Sequence, residues 1–81
     1  MPVVDVTVAQ MTGVWERVLH RPVEDQADFF LDLAGDSLKA LQLTDAVGAE
    51  FGVPVDVSDL FDCPNAATLA DLVRQRRGGG A

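Results

Sequence analysis

Apolar residues recur at three- and four-residue spacing along most of this chain, and nowhere alternate for long enough to make a strand. Val8, Met11, Trp15 and Val18 step by three, four and three, with Val14 and Leu19 widening the stripe. The spacing predicts an amphipathic helix over about residues 8–20. Thr7 followed three residues later by Gln10 is a capping-box spacing, and Pro22 marks the end. In a second stretch, from Ser37 to Phe51, Ala40, Leu43, Thr44, Val47 and Phe51 share one face, and Gly52 and Pro54 supply the stop. A short helical turn is predicted over Ser58–Cys63, with Leu60 and Phe61 as its apolar content and Pro64 ending it. A last helix is expected behind Thr68 as its cap, with Asp71 in its first turn and Leu69, Leu72 and Val73 facing inward. Arg74, Arg76 and Arg77 suit the negative end of its dipole. Val55-Asp56-Val57 is too short for a strand. The pattern is that of an all-α bundle.

Eighty-one residues make one domain at most, and 48% hydrophobic content supports a folded core, although a thin one. The expected bundle covers residues 1–77, and 78–81 read as a disordered Gly-rich tail. A net charge of −7 disfavours nucleic acid and anionic membrane as partners, because both need a positive face. The single cysteine, Cys63, excludes an internal disulfide and a CxxC motif and reads as a small core residue. With no signal peptide and no apolar run of membrane length, a cytoplasmic monomer is expected.

The connection over residues 21–36 is long for so small a chain, which points to a function or to pinning by its own side chains. Phe29, Phe30, Leu31 and Leu33 can do the pinning, with Phe30 and Leu33 expected to be buried. The loop also holds Glu24, Asp25, Asp28, Asp32 and Asp36, an acidic stretch able to steer basic partners. It ends in Leu33-Ala34-Gly35-Asp36-Ser37-Leu38, a small-residue turn opening directly into a helix. Asp36 is a strong N-cap type, and Ser37 is then the first helical residue. A hydroxyl there stands beside the unpaired N–H groups and positive end of the helix dipole, where a phosphate is well accommodated. Leu38 and Leu41 fall on a sector of this helix turned away from the core, and mark a docking spot beside Ser37.

Ser37 as a catalytic nucleophile is excluded. Gly35-Asp36-Ser37-Leu38 has the letters of the GDSL esterase motif, but a serine nucleophile needs an oriented base. The one histidine, His20, ends the first helix, and the chain is too short for the esterase fold. No clustered His, Cys, Asp or Glu set has metal-ligand spacing, and there is no Gly-rich phosphate loop. What remains is a serine that is itself a substrate, or an ordinary helix-start residue on an unmodified interaction domain.

The run Phe30-Leu31-Asp32-Leu33-Ala34-Gly35-Asp36-Ser37-Leu38 resembles the attachment motif of phosphopantetheine carrier domains, most closely the peptidyl carrier (thiolation) domains of nonribosomal peptide synthesis. Phe30, Leu33, Gly35, Asp36, Ser37 and Leu38 match. Leu31 stands where a second Phe is usual and Ala34 where the first of two glycines is usual. Trp15-Glu16-Arg17-Val18-Leu19, Asp59-Leu60-Phe61 with Pro64, and Leu69-Ala70-Asp71-Leu72-Val73 resemble the family's first, third and last helices, so the likeness spans about residues 8–76.

The resemblance implies a four-helix bundle, three longer helices plus a short third, with a long first loop. It implies 4′-phosphopantetheine, taken from coenzyme A by a phosphopantetheinyl transferase and held covalently at Ser37, with Asp36 and Gly35 forming the attachment turn. It implies a non-catalytic carrier of an aminoacyl or peptidyl thioester, as used in antibiotic biosynthesis. Its partners would be an adenylating enzyme and condensation, thioesterase or tailoring enzymes, meeting Leu38, Leu41 and Phe61. The alternative within the same resemblance is an acyl carrier of polyketide or fatty-acid-like synthesis.

Overall fold

A computed structural model describes residues 6–78. Four helices account for its regular structure: α1 (Val8–Leu19), α2 (Ser37–Phe51), α3 (Val57–Asp62) and α4 (Ala66–Gly78). α1 packs on both α2 and α4, and α3 packs on α2. The all-α expectation holds, and no strand occurs among the described residues.

α1 begins as the sequence predicts. Thr7 accepts from the Gln10 N–H, and the Gln10 side chain accepts from the Thr7 N–H, closing the capping box. The helix stops where His20 turns into the left-handed region at φ 57°, its N–H donating to Glu16 O at 2.8 Å. α2 starts at Ser37, with Asp36 Oδ1 accepting the Lys39 N–H at 2.8 Å. It ends at Gly52, whose φ of 68° suits a residue without Cβ.

Two boundaries differ from the sequence reading. α3 takes in Val57 and is capped by Asp56, which forms its own capping box with Asp59. α4 begins two residues before Thr68, because Asn65 is the cap: Asn65 Oδ1 accepts the Thr68 N–H at 2.8 Å, and Asn65 O accepts from Leu69. Asn caps as well as Asp or Ser do, and the two alanines between it and Thr68 are strong helix formers. α4 runs through Gly78, the first residue of the expected tail. The rest of that tail, 79–81, lies outside the described residues, as do residues 1–5.

The core is one cluster. Met11, Val14, Trp15 and Leu19 of α1 meet Ala40, Leu43, Val47 and Phe51 of α2, Leu60 of α3, and Ala66, Leu69, Ala70 and Val73 of α4. The buried face of α2 is the one the spacing marks, Thr44 included, whose hydroxyl donates back to Leu41 O at 3.1 Å. Val6 is buried as well, and its carbonyl accepts from Arg74 at 2.6 Å, closing the base of the bundle. Arg17 and Glu50 pair at 3.0 Å across α1 and α2, but both are largely exposed and add little.

Leu43 is fully buried in the middle of α2. Leu43→Ala should destabilise the domain by about 2–5 kcal/mol, read by urea unfolding at constant m. A loss well under 1 kcal/mol would mean that the face of α2 is misassigned.

Candidate functional site

The site is built by the loop between α1 and α2, and that loop is stitched to the bundle by its own backbone. Val23 is buried, and its N–H donates to Glu16 Oε2 at 3.0 Å. Ala67 N–H donates to Asp25 O at 3.1 Å, tying the loop to the start of α4. Asp28 then works as a turn-maker. Its Oδ1 accepts the N–H groups of Phe30 and Leu31, both at 2.8 Å, and its carbonyl accepts from Asp32 and Leu33. Asp32 Oδ2 in return accepts the Asp28 N–H at 2.8 Å. Two of the five loop carboxylates therefore hold the loop's shape in addition to giving it charge.

Leu33 is buried as expected. Phe30 is not: it is half-buried and stacks face to face on Phe61, ring centroids 4.8 Å apart and planes 4° apart. The fully buried ring is Phe29. It meets Trp15 edge-on at 5.8 Å, its N–H donates to Pro64 O at 2.7 Å, and its carbonyl accepts from Gly35 at 2.8 Å. The Asp28 turn sets which of the two aromatics points inward, and adjacent Phe residues give periodicity nothing to choose between. Leu31 does no pinning, being 85% exposed.

The two small residues before the cap have different jobs. Ala34 sits at φ 53°, a left-handed conformation that costs a residue with a Cβ about 1–2 kcal/mol. Gly35 has no such φ, but a Cβ there would lie 2.2–2.5 Å from three Phe29 ring atoms. The small size shared by Ala34 and the usual glycine is thus not the property that matters at position 34; the backbone conformation is.

Ser37 emerges from this turn at the first position of α2, exposed, with Asp36 beside it as the cap. Leu38 and Leu41 are 65% and 52% exposed, and Phe61 is 65% exposed despite its stack on Phe30. α3, which carries Phe61, is fixed from the other side by Asp59. That carboxylate is buried and takes both Arg76 guanidinium nitrogens, at 2.6 and 2.8 Å; Arg76 also donates to Pro54 O. The hydrogen bond from Arg76 holds the Asp59 carboxyl below its ordinary value, against burial, which pushes the other way. Arg76 thus spans two elements instead of merely facing its own helix end, and charge counting cannot reveal that. Cys63 is half-buried against the core, and burial raises its thiol above its ordinary value. His20 is exposed, and no metal-binding group of three or more His, Cys, Asp or Glu side chains occurs among the described residues. A surface hollow of about 390 Å³ lies between Arg21 and Asp32, but neither Ser37 nor Asp36 lines it.

Comparison with known proteins gives this geometry its context. Residues 9–73 match the family described as Phosphopantetheine attachment site, a stretch that contains the whole loop and Ser37. The chain belongs to the phosphopantetheine-attachment family. The relatives that match most of its length are nonribosomal peptide synthetases. It is 39% identical over 70 residues to nonribosomal peptide synthetase rstn8 of Aspergillus nomiae, covering 84% of this chain and 5% of that protein. It is 33% identical over 76 residues to phosphinothricin tripeptide synthetase PhsC of Streptomyces viridochromogenes, covering 94% and 7%. The carrier domain thus spans only a small part of the curated relatives it matches. An artificially fused adenylation–PCP di-domain synthetase from Klebsiella oxytoca shares the fold at TM-score 0.73 and 28% identity, covering 85% of this chain and 13% of that one. A docking-domain complex of the Pax synthetase shares it at TM-score 0.77 and 24% identity, covering 95% and 73%. The family carries covalently attached 4′-phosphopantetheine and is in general non-catalytic. An exposed hydroxyl at a capped helix start is accessible as the acceptor of such a group.

Because Asp59 is held below its ordinary value of 3.8, its contribution to stability is present above that pH and is lost as the pH falls through the folded value. Asp59→Asn should therefore be less stable than wild type at neutral pH, by about 1–2 kcal/mol since Arg76 is partly solvated. The gap should close as the solution is acidified below pH 3.8. Thermal unfolding across pH measures it, and a gap that does not change with pH would contradict the ion pair.

Proposed function

We propose that Ser37 Oγ is the attachment point of the phosphopantetheine arm, and that the domain presents an aminoacyl or peptidyl thioester to the enzymes of nonribosomal peptide synthesis. In the attachment reaction a phosphodiester forms at Ser37 Oγ, the coenzyme A pyrophosphate is cleaved, and the nucleotide half leaves. A phosphopantetheinyl transferase supplies the catalysis, and this chain supplies the nucleophile. When bound, the arm provides a thiol that holds the cargo as a thioester. The observation that carries this reading is the place of Ser37: exposed, first in α2, capped by Asp36, and inside the stretch that matches the attachment family.

The chain's own residues do three things in this scheme. Asp36 takes the Lys39 N–H and fixes the start of α2, leaving the hydroxyl outside the bundle. Gly35 and Asp36 shape the turn that the transferase must enter. Leu38, Leu41 and the outward face of Phe61 form the apolar part of the surface that partners meet. That surface is small, as suits a carrier that must be released after each step. The tethered cargo is delivered at high effective concentration, so weak docking is enough. An adenylating enzyme would load the thiol, and condensation, thioesterase or tailoring enzymes would receive from it. The relatives are peptide synthetases, which favours this over polyketide or fatty-acid-like acyl carriage. No described helix is long and apolar enough to cross a membrane, in keeping with a cytoplasmic carrier.

Incubation with coenzyme A and a broad-specificity transferase should raise the intact mass by one phosphopantetheine group in wild type and by nothing in Ser37→Ala. An arm that persists in Ser37→Ala would refute the assignment. Leu41→Glu should keep the wild-type unfolding temperature and weaken at least one partner reaction by about tenfold or more. A collapse in thermal stability would instead make Leu41 part of the core.

A further inference from the structure

We infer that Phe29 is the positioning residue of the serine turn: its buried ring occupies the space beside Gly35, and so sets where the Ser37 hydroxyl stands. The inference rests on the reading of Ser37 as the arm's anchor and adds the residue that holds it in register. The ring of Phe29 is fully buried and confined on two sides, by Trp15 edge-on at 5.8 Å and by Phe30 edge-on at 4.9 Å. Its backbone is clamped at both ends, the N–H on Pro64 O at 2.7 Å and the carbonyl under the Gly35 N–H at 2.8 Å. One residue, Asp36, separates Gly35 from Ser37.

The Gly35 Cα lies against the flat of that ring. A Cβ there would stand 2.2 Å from Cε2, 2.4 Å from Cζ and 2.5 Å from Cδ2. These are atoms of one rigid plane, not the end of a flexible side chain, and a close-packed core gives the plane nowhere to go. A side chain at position 35 must therefore push the turn outward, carrying Asp36 and Ser37 with it. A transferase that needs the hydroxyl in line with a phosphorus atom is sensitive to such a shift, because a misplacement of about 1 Å can cost roughly a hundredfold in rate. Phe29 touches neither the arm nor the transferase in this account. It acts through Gly35.

The test is a double-mutant cycle on the full chain, using coenzyme A and a broad-specificity transferase, below the unfolding temperature of every variant. Gly35→Ala should lower kcat/KM for arm attachment by about tenfold or more. Phe29→Leu, which lacks Cε2 and Cζ and so leaves the turn without its backing, should itself slow attachment by about threefold to fivefold, and Phe29→Leu/Gly35→Ala should be no slower than Phe29→Leu, well short of the product of the two single losses. Val73→Ala, a core cavity in α4 away from the turn, should label at the wild-type rate. A Phe29→Leu that labels at the wild-type rate, a double variant as slow as Gly35→Ala, a Gly35→Ala that labels normally, or a Val73→Ala that slows as much as Phe29→Leu would each overturn the inference. Should Gly35→Ala leave no folded protein, recovery of a folded, labelled double variant is the same supporting result. If wild type accepts no arm at all, the Ser37 reading fails, and the wedge is then judged by unfolding temperatures. A loss in Gly35→Ala that Phe29→Leu removes supports it, and additive losses overturn it.

Discussion

One aromatic ring inside the bundle decides the geometry on its surface. Phe29 packs on Trp15 of α1, bonds to Pro64 between α3 and α4, and receives Gly35 from the turn that starts α2. Every long helix, or the connection leading into it, thereby has a contact with the same loop residue. Burying a Phe is worth about 1.5–3 kcal/mol, a large share of the stability of a domain this small. The serine turn cannot be displaced without disturbing that contact.

The rest of the molecule divides into parts that hold and parts that are left open. Asp28 and Asp32 staple the loop, Asp56 and Asn65 cap the two short-range helix starts, and the Asp59–Arg76 pair binds α3 to α4. Against this frame, Leu31, Leu38, Leu41 and Phe61 stay more than half exposed. A thin core makes exposed leucines expensive to keep, since the same side chains could add to burial. In the carrier role proposed above, such residues serve recognition, where brief docking needs a little apolar area together with charge guidance.

Much of this was legible in the sequence, and the misses have physical causes. The helical faces of α1 and α2 follow from spacing alone, and Thr7, Asp36 and Gly52 are residues whose chemistry announces a boundary. Asn65 and Thr68 are both cap types, and only the geometry selects Asn65. Phe29 and Phe30 are equivalent to a pattern argument, and the choice falls to the Asp28 side chain, which bonds two N–H groups beyond it. At Ala34 the property that matters is its positive φ, which the residue's identity does not reveal. The spacing of Arg76 points to the dipole of its own helix, whereas its partner lies 17 residues back on another helix. Contacts of that separation leave no local mark.

The central claim is that the turn bearing Ser37 belongs to the cooperative core and is not a loose loop beside it. Native-state hydrogen exchange of the Gly35 amide, which is bonded to the Phe29 carbonyl, tests this directly. Exchange as slow as that of the Val47 amide in the middle of α2, and accelerated in parallel with it by denaturant, is the predicted result. Exchange at the rate of an unprotected loop, insensitive to denaturant, would contradict it.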